Sequence, residues 1–127
     1  MNIPQDLLYT KDHEWVRIDG DAAVVGITDF AQGELGDVVF VQLPEVGAKV
    51  EQGKAFGTIE AVKAVADIYS PLSGEIIAVN SALNDKPELM NQEPYGNGWV
   101  AKIKANKLAA EKSELLNAGS YADLTSA

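Results

Sequence analysis

The chain contains no cysteine. Disulfides, zinc–thiolate sites and thiol nucleophiles are therefore excluded. It has one histidine, His13, too few for a metal site built on several imidazoles. Basic residues are scarce: 10 Lys and Arg stand against 19 Asp and Glu, for a net charge of −9. Such a surface repels phosphate backbones and argues against a nucleic-acid partner. It suits solubility and contact with basic protein surfaces equally well. No apolar run approaches the roughly 18 residues that cross a bilayer. The opening residues, Met1 to Asp6, lack the basic, apolar and small-residue zones of a secretion signal and the Arg/Ser bias of a transit peptide. The expectation is a protein of the bacterial cytoplasm. A mitochondrial matrix protein with its leader removed is the alternative, disfavoured by the initiating Met.

What is present is enough for one domain. A length of 127 residues supports a single core. Short apolar runs broken by Gly, Pro, Asn and Asp fill residues 14–104. Trp15–Asp19 and Ala22–Ile27 flank Asp19-Gly20-Asp21 and read as a hairpin. Asp29–Leu35 reads as about one helical turn. Val38–Leu43 is a β-branched run ended by Pro44. Ala55–Glu60 and Ala66–Ser70 are strand-like, as are Gly74–Asn80 and Trp99–Lys104. Strands at this spacing predict a mainly β domain, a sandwich or flattened barrel of two sheets. Pro87–Asn91 reads as a short turn capped by Asp85. A C-terminal helix is predicted over 107–117, begun by Asn106, closed by Gly119 and followed by a fraying tail from Ser120. Trp15, Phe40, Tyr69 and Trp99 are expected in the core.

One echo organises the middle of the chain. Pro44-Glu45-Val46-Gly47-Ala48-Lys49-Val50 and Pro71-Leu72-Ser73-Gly74-Glu75-Ile76-Ile77 share a Pro-x-x-Gly-x-x-(Val/Ile) pattern. Each reads as a turn feeding a strand. Lys63 lies between them, as at the tip of a hairpin joining two similar halves. Its neighbours Val62 and Ala64 are small and apolar. A lysine there holds its amine in water on a long stem, where a modifying enzyme can grip it. Glu60, three residues earlier, is an acidic handle for that enzyme. Most hairpin lysines only confer solubility and protect edges, so the position alone does not settle the matter.

The surrounding residues do more. Glu60-Ala61-Val62-Lys63-Ala64, followed by Asp67 to Asn80, resembles the lipoylation segment of the H-protein family of the glycine cleavage system. His13-Glu14-Trp15-Val16 resembles that family's N-terminal signature. Val25 to Gln32, Leu35-Gly36-Asp37 and Leu43 to Gly47 resemble its second block, and Tyr95 to Trp99 the block before its last strand. The resemblance runs through essentially the whole chain in order. It departs at Ala61, where the family often has Ser, and at Glu34, where some members carry His.

The resemblance implies a single lipoyl-carrier domain over 1–127 with a lipoyl/biotinyl-type barrel-sandwich hybrid fold, short helices and a C-terminal helix. It implies lipoate in amide linkage to Lys63, with Glu60 and Gly74 in recognition by the lipoate-attaching enzyme. It implies a non-catalytic shuttle, expected to be monomeric, with three enzyme partners. Glycine decarboxylase loads an aminomethyl group, the aminomethyltransferase removes it, and dihydrolipoamide dehydrogenase takes the electrons. A tether of this kind works through effective concentration, and the cofactor carries the chemistry. The cleft that shelters the loaded arm in the family corresponds to Asp12, Glu14, Ile27, Glu34 and Asp67.

Other readings compete. A Schiff-base enzyme needs a desolvated lysine, the reverse of a hairpin tip. A biotinyl carrier usually places Met on both sides of its lysine, where this chain has Val62 and Ala64. Lipoyl domains of 2-oxoacid dehydrogenases usually place Asp directly before it. An H-like protein that relays lipoate to other enzymes would share every feature named so far. His13 as a general base would need an orienting partner, and its neighbour Glu14 points to the opposite face of a strand. Gly96-Asn97-Gly98 is a turn, lacking the Lys and helix of a phosphate loop.

Overall fold

The computed structural model describes residues 2–126. Among the described residues, nine strands form two antiparallel sheets that do not close into a barrel. The larger has six strands in the order β1 (Leu8–Tyr9), β2 (Glu14–Asp19), β3 (Ala22–Ile27), β9 (Ala101–Ala105), β8 (Gly74–Val79) and β5 (Lys49–Val50). The smaller has three: β4 (Val38–Gln42), β6 (Ala55–Ala61) and β7 (Val65–Tyr69). The core between them takes alternate residues from both, including Val25, Val41, Ile59, Ile68, Ile76 and Ile103. Burying such side chains is worth roughly 1.5–3 kcal/mol each.

The echoed segments meet. Gly47 N–H donates to Ile76 O at 2.7 Å, and Ile76 N–H to Ala48 O at 2.9 Å. Lys49 and Val50 pair with Glu75 and Gly74. The residues between them, carrying the β6–β7 hairpin, are thereby closed off as one excursion with Lys63 at its tip.

Two close approaches explain strand glycines. Gly26 pairs with Trp15 on β2, and a Cβ there would sit 2.6 Å from the indole nitrogen. That space lets Trp15 bury fully and donate from Nε1 to Pro94 O at 2.8 Å. Gly74 lies beneath β9, where a Cβ would run into the Lys104 carbonyl.

The C-terminal region differs from the expectation of one helix over 107–117. Helix α4 covers only Leu108–Lys112, and a second helix, α5, covers Ala118–Thr125. Between them Leu116 pairs with Tyr9, exchanging backbone hydrogen bonds of 2.7 and 2.8 Å. That bridge requires extended backbone and breaks the helix. Asn117 then caps α5 through its side chain, accepting from Ser120 N–H at 2.8 Å. Gly119 lies inside α5 and ends nothing. The stretch expected to fray buries Tyr121, whose ring stacks on Tyr9 at 4.6 Å.

Smaller differences have similar causes. Asp29–Leu35 forms the seven-residue helix α1, capped by the Thr28 side chain. Asp85 ends helix α2 (Ala82–Asp85), and Glu88 occupies the cap of α3 (Leu89–Gln92). Phe40 is 52% exposed, whereas Trp15 is buried and Tyr69 and Trp99 are half-buried. The register of β4 shifts at Val39, and Phe40 then faces outward, opposite exposed Glu60.

Candidate functional site

Lys63 occupies the three-residue tip between β6 and β7, and it is exposed together with Val62 and Ala64. The tip is held from two directions. Ala61 N–H donates to Ala64 O at 2.9 Å and closes the hairpin. Val62 N–H donates to Asp37 O at 3.0 Å, and Lys63 N–H to Leu35 O at 3.1 Å. The Lys63 backbone is thus pinned to the α1–β4 link while its side chain stays exposed.

That link is built for the task. Gly36 ends α1 at φ 76°, which an L side chain rarely adopts. A Cβ there would stand 3.2 Å from Lys63 Cγ, so the lysine stem lies against bare backbone. Asn91 on α3 fixes the link from behind. Its Oδ1 accepts from Val38 N–H at 2.9 Å, and its Nδ2 donates to Gly36 O at 2.8 Å. Asn91 carries no signal in the sequence, because its side-chain partners Gln32, Gly36 and Val38 all lie more than fifty positions away in the chain. The arrangement offers one reactive group, a primary amine on a flexible stem above a rigid base. It is fit to hold a long acyl group by an amide bond.

Glu60 is exposed on β6, on the outer face of the small sheet. Gly74 is buried in the other sheet, beneath β9.

The five residues matched to an arm cleft separate. Asp12 and Glu14 line one cleft of about 430 Å³, with Thr10, Tyr69, Leu115 and Leu116 on its walls. Ile27 is 4% exposed and belongs to the core, paired with Glu14 across β2 and β3. Glu34 is exposed on α1, and its charge is felt at His13. Asp67 is exposed on β7, opposite Thr58.

Glu14 is the unusual member. It is 2% exposed, and its partners are neutral: Thr10 Oγ1 at 2.6 Å and Tyr69 N–H at 3.3 Å. Among the described residues the one ion pair is Lys49 with Glu75, so Glu14 has no ion-pair partner, although Lys11 lines the same cleft. Burial pushes its carboxyl up to about 8, against the weaker pull of those hydrogen bonds. Around neutral pH it is therefore largely an uncharged acid facing a cleft.

His13 is structural. Its backbone sits at φ 72°, its ring packs on Phe30, and Nδ1 lies 2.8 Å from the Tyr121 hydroxyl. Burial lowers its pKa, against the opposing charges of Asp12 and Glu34. The Tyr121 hydroxyl also lies 2.7 Å from Thr28 Oγ1, so α5 is tied to the start of α1.

Comparison with known proteins agrees with this geometry. The family model described as "Glycine cleavage H-protein" matches residues 7–127. The glycine cleavage system H protein of Rubrobacter xylanophilus is 58% identical over 120 residues, covering 94% of this chain and 92% of that one. That of Herpetosiphon aurantiacus is 59% identical over 120 residues, covering 94% and 91%. A crystal structure of a glycine cleavage system H protein from Mycobacterium marinum superposes with a TM-score of 0.85 at 43% identity, covering 95% of this chain and 97% of that one. With its lysine-tipped hairpin on two open sheets, the chain belongs to the glycine cleavage system H-protein family.

Proposed function

We propose that Lys63 carries lipoate in amide linkage and that the protein is the mobile carrier of glycine cleavage. It takes a one-carbon unit from glycine decarboxylase to the aminomethyltransferase and electrons to dihydrolipoamide dehydrogenase. The observation that carries this reading is the pinned, exposed tip: a lysine with a fixed backbone and a free amine. When bound, lipoate supplies a dithiolane able to hold a transferred group and two electrons. The chain's own part is to fix the base of the arm, present its amine to the lipoate-attaching enzyme and shelter the arm between transfers. Exposed Glu60 is the acidic handle for attachment.

The cleft lined by Asp12 and Glu14 is the resting place of the arm. Leu115 and Leu116 offer apolar wall, and Glu14 offers a carboxyl with no ion-pair partner, although Lys11 also lines the cleft. An ammonium arriving on the arm would favour the ionised carboxylate and pair with it. Ile27 supports that wall from the core. Glu34 and Asp67, both exposed, guide the charged arm electrostatically on its way to the cleft. Among the described residues no helix is long and apolar enough to cross a membrane. The compartment in which the carrier meets its partners is, on this reading, the bacterial cytoplasm.

Intact mass after incubation with a lipoate-attaching enzyme and lipoate tests the attachment. The wild type should gain one lipoyl increment and Lys63→Arg none. An increment that survives Lys63→Arg would refute it. Glycine–bicarbonate exchange by glycine decarboxylase should then be stimulated by the lipoylated protein. Absence of stimulation would favour the lipoate-relay role.

A further inference from the structure

Seven large apolar side chains are markedly exposed among the described residues. Four of them, Val39, Phe40, Val62 and Val65, gather at the Lys63 end of the three-stranded sheet, so they form a patch and not a scatter. The sheet register shows how. Phe40 on β4 pairs with Glu60 on β6, which pairs with Val65 on β7. All three are exposed, with Phe40 at 52% and Val65 at 67%, so they form one row across the outward face. Val62, 71% exposed, continues the patch onto the tip. The next row back is Gln42, Thr58 and Asp67. Neither row holds a basic side chain. The face is an apolar strip with a carboxylate at its centre and another behind it, and Lys63 stands at its rim.

We infer that this outward face, carried by Phe40, Glu60 and Val65, is the docking surface of the enzyme that attaches lipoate, whose complementary surface is apolar with a basic side chain set against Glu60. The inference rests on Lys63 being the attachment site. The choice of occupant follows from reach. Enzymes that use the dithiolane meet the far end of the arm and need not touch the hairpin. The enzyme that forms the amide must bring its active site to Nζ itself. The patch begins at Val62, directly beside Lys63, and its charge complements a basic partner and repels an acidic one. An apolar strip beside the target also gives a rigid β-surface for recognition before any arm exists.

The test is steady-state lipoylation of the unmodified protein by the lipoate-attaching enzyme, with Phe40→Thr and Val65→Thr combined. Thr keeps the β-branched shape that strands favour while removing the apolar contact. KM for the protein should rise about tenfold with kcat nearly unchanged. Glu60→Gln should raise KM about threefold and flatten its dependence on salt. Ile77→Thr, at an exposed apolar position on the other sheet, should leave KM unchanged. If the double variant does not fold, the single variants decide, each with a rise of about threefold. An unchanged KM in folded variants would overturn the inference, as would an equal rise with Ile77→Thr. So would intact attachment combined with weakened exchange by glycine decarboxylase, which would assign the face to that enzyme. Failure of the underlying reading looks different: the mass increment would persist in Lys63→Arg.

Discussion

Replacing Glu14 by Gln should make the protein more stable in mild alkali. Glu14 is buried without an ion-pair partner, and burial raises its carboxyl from the ordinary 4.5 to about 8. Between those values the folded protein holds a proton that the unfolded chain has released. Stability must therefore fall as pH rises, by about 1.4 kcal/mol per unit from this group alone. Its contribution is complete below pH 4.5 and lost as pH passes 8. His13 acts oppositely: its lowered pKa costs stability only in acid, and the cost is gone above its ordinary 6.5. The window from pH 6.5 to 8 isolates Glu14, and the wild type should lose about 1.5–2 kcal/mol across it. Gln mimics the protonated carboxyl. Like that form it is uncharged at every pH, and its Oε1 can accept from the Thr10 hydroxyl as Glu14 Oε1 does. The variant should therefore show a flat profile in the same window. The assay is urea denaturation of the unlipoylated protein, with ΔG extrapolated at each pH for both forms. Parallel profiles would refute the claim that Glu14 sits neutral in the cleft.

Other expected outcomes follow from single contacts. Asn91→Ala leaves Val38 N–H and Gly36 O without their partner, which should cost about 2–3 kcal/mol; the same variant should speed amide hydrogen exchange at Val62 and Lys63, and unchanged exchange would deny Asn91 its hold on the tip. Gly74→Ala should cost more than about 3 kcal/mol, because the added carbon meets the backbone of β9. The molecules of that variant that do fold should still be lipoylated at the normal rate, and a selective loss of lipoylation in mass spectra would give Gly74 a role in recognition. Tyr121→Phe removes the hydroxyl shared by His13 and Thr28 and should cost about 1–2 kcal/mol by denaturation. A loss no larger than that of an exposed-site control would show that α5 is held by ring packing alone.

Much of the fold is legible in the amino-acid sequence. The Asp19-Gly20-Asp21 turn, the alternating runs and the β-branched segments announce short antiparallel strands, because side-chain period and turn chemistry are local properties. The repeated Pro-x-x-Gly pattern places Lys63 between two like units, and those units pair in the folded protein. The family resemblance singles out the lysine itself.

What the sequence could not decide was set by partners distant in the chain. Helix propensity favours one helix over 107–117, yet the bridge from Leu116 to Tyr9 breaks it and Asn117 restarts it. Phe40 reads as core, because an aromatic residue in a β-branched run ordinarily faces inward. A register shift at Val39 turns it out beside Lys63. Asn91 gives no local sign of its role, since a short polar side chain acquires meaning only from the backbone groups that folding brings to it. Glu14 is visible as an acid, but its protonation depends on what covers it, and the cover comes from residues 55 and about 100 positions away. Local pattern determines which elements form and where the amine stands. Burial, register and long-range hydrogen bonding decide how that amine is held and what its surroundings can do.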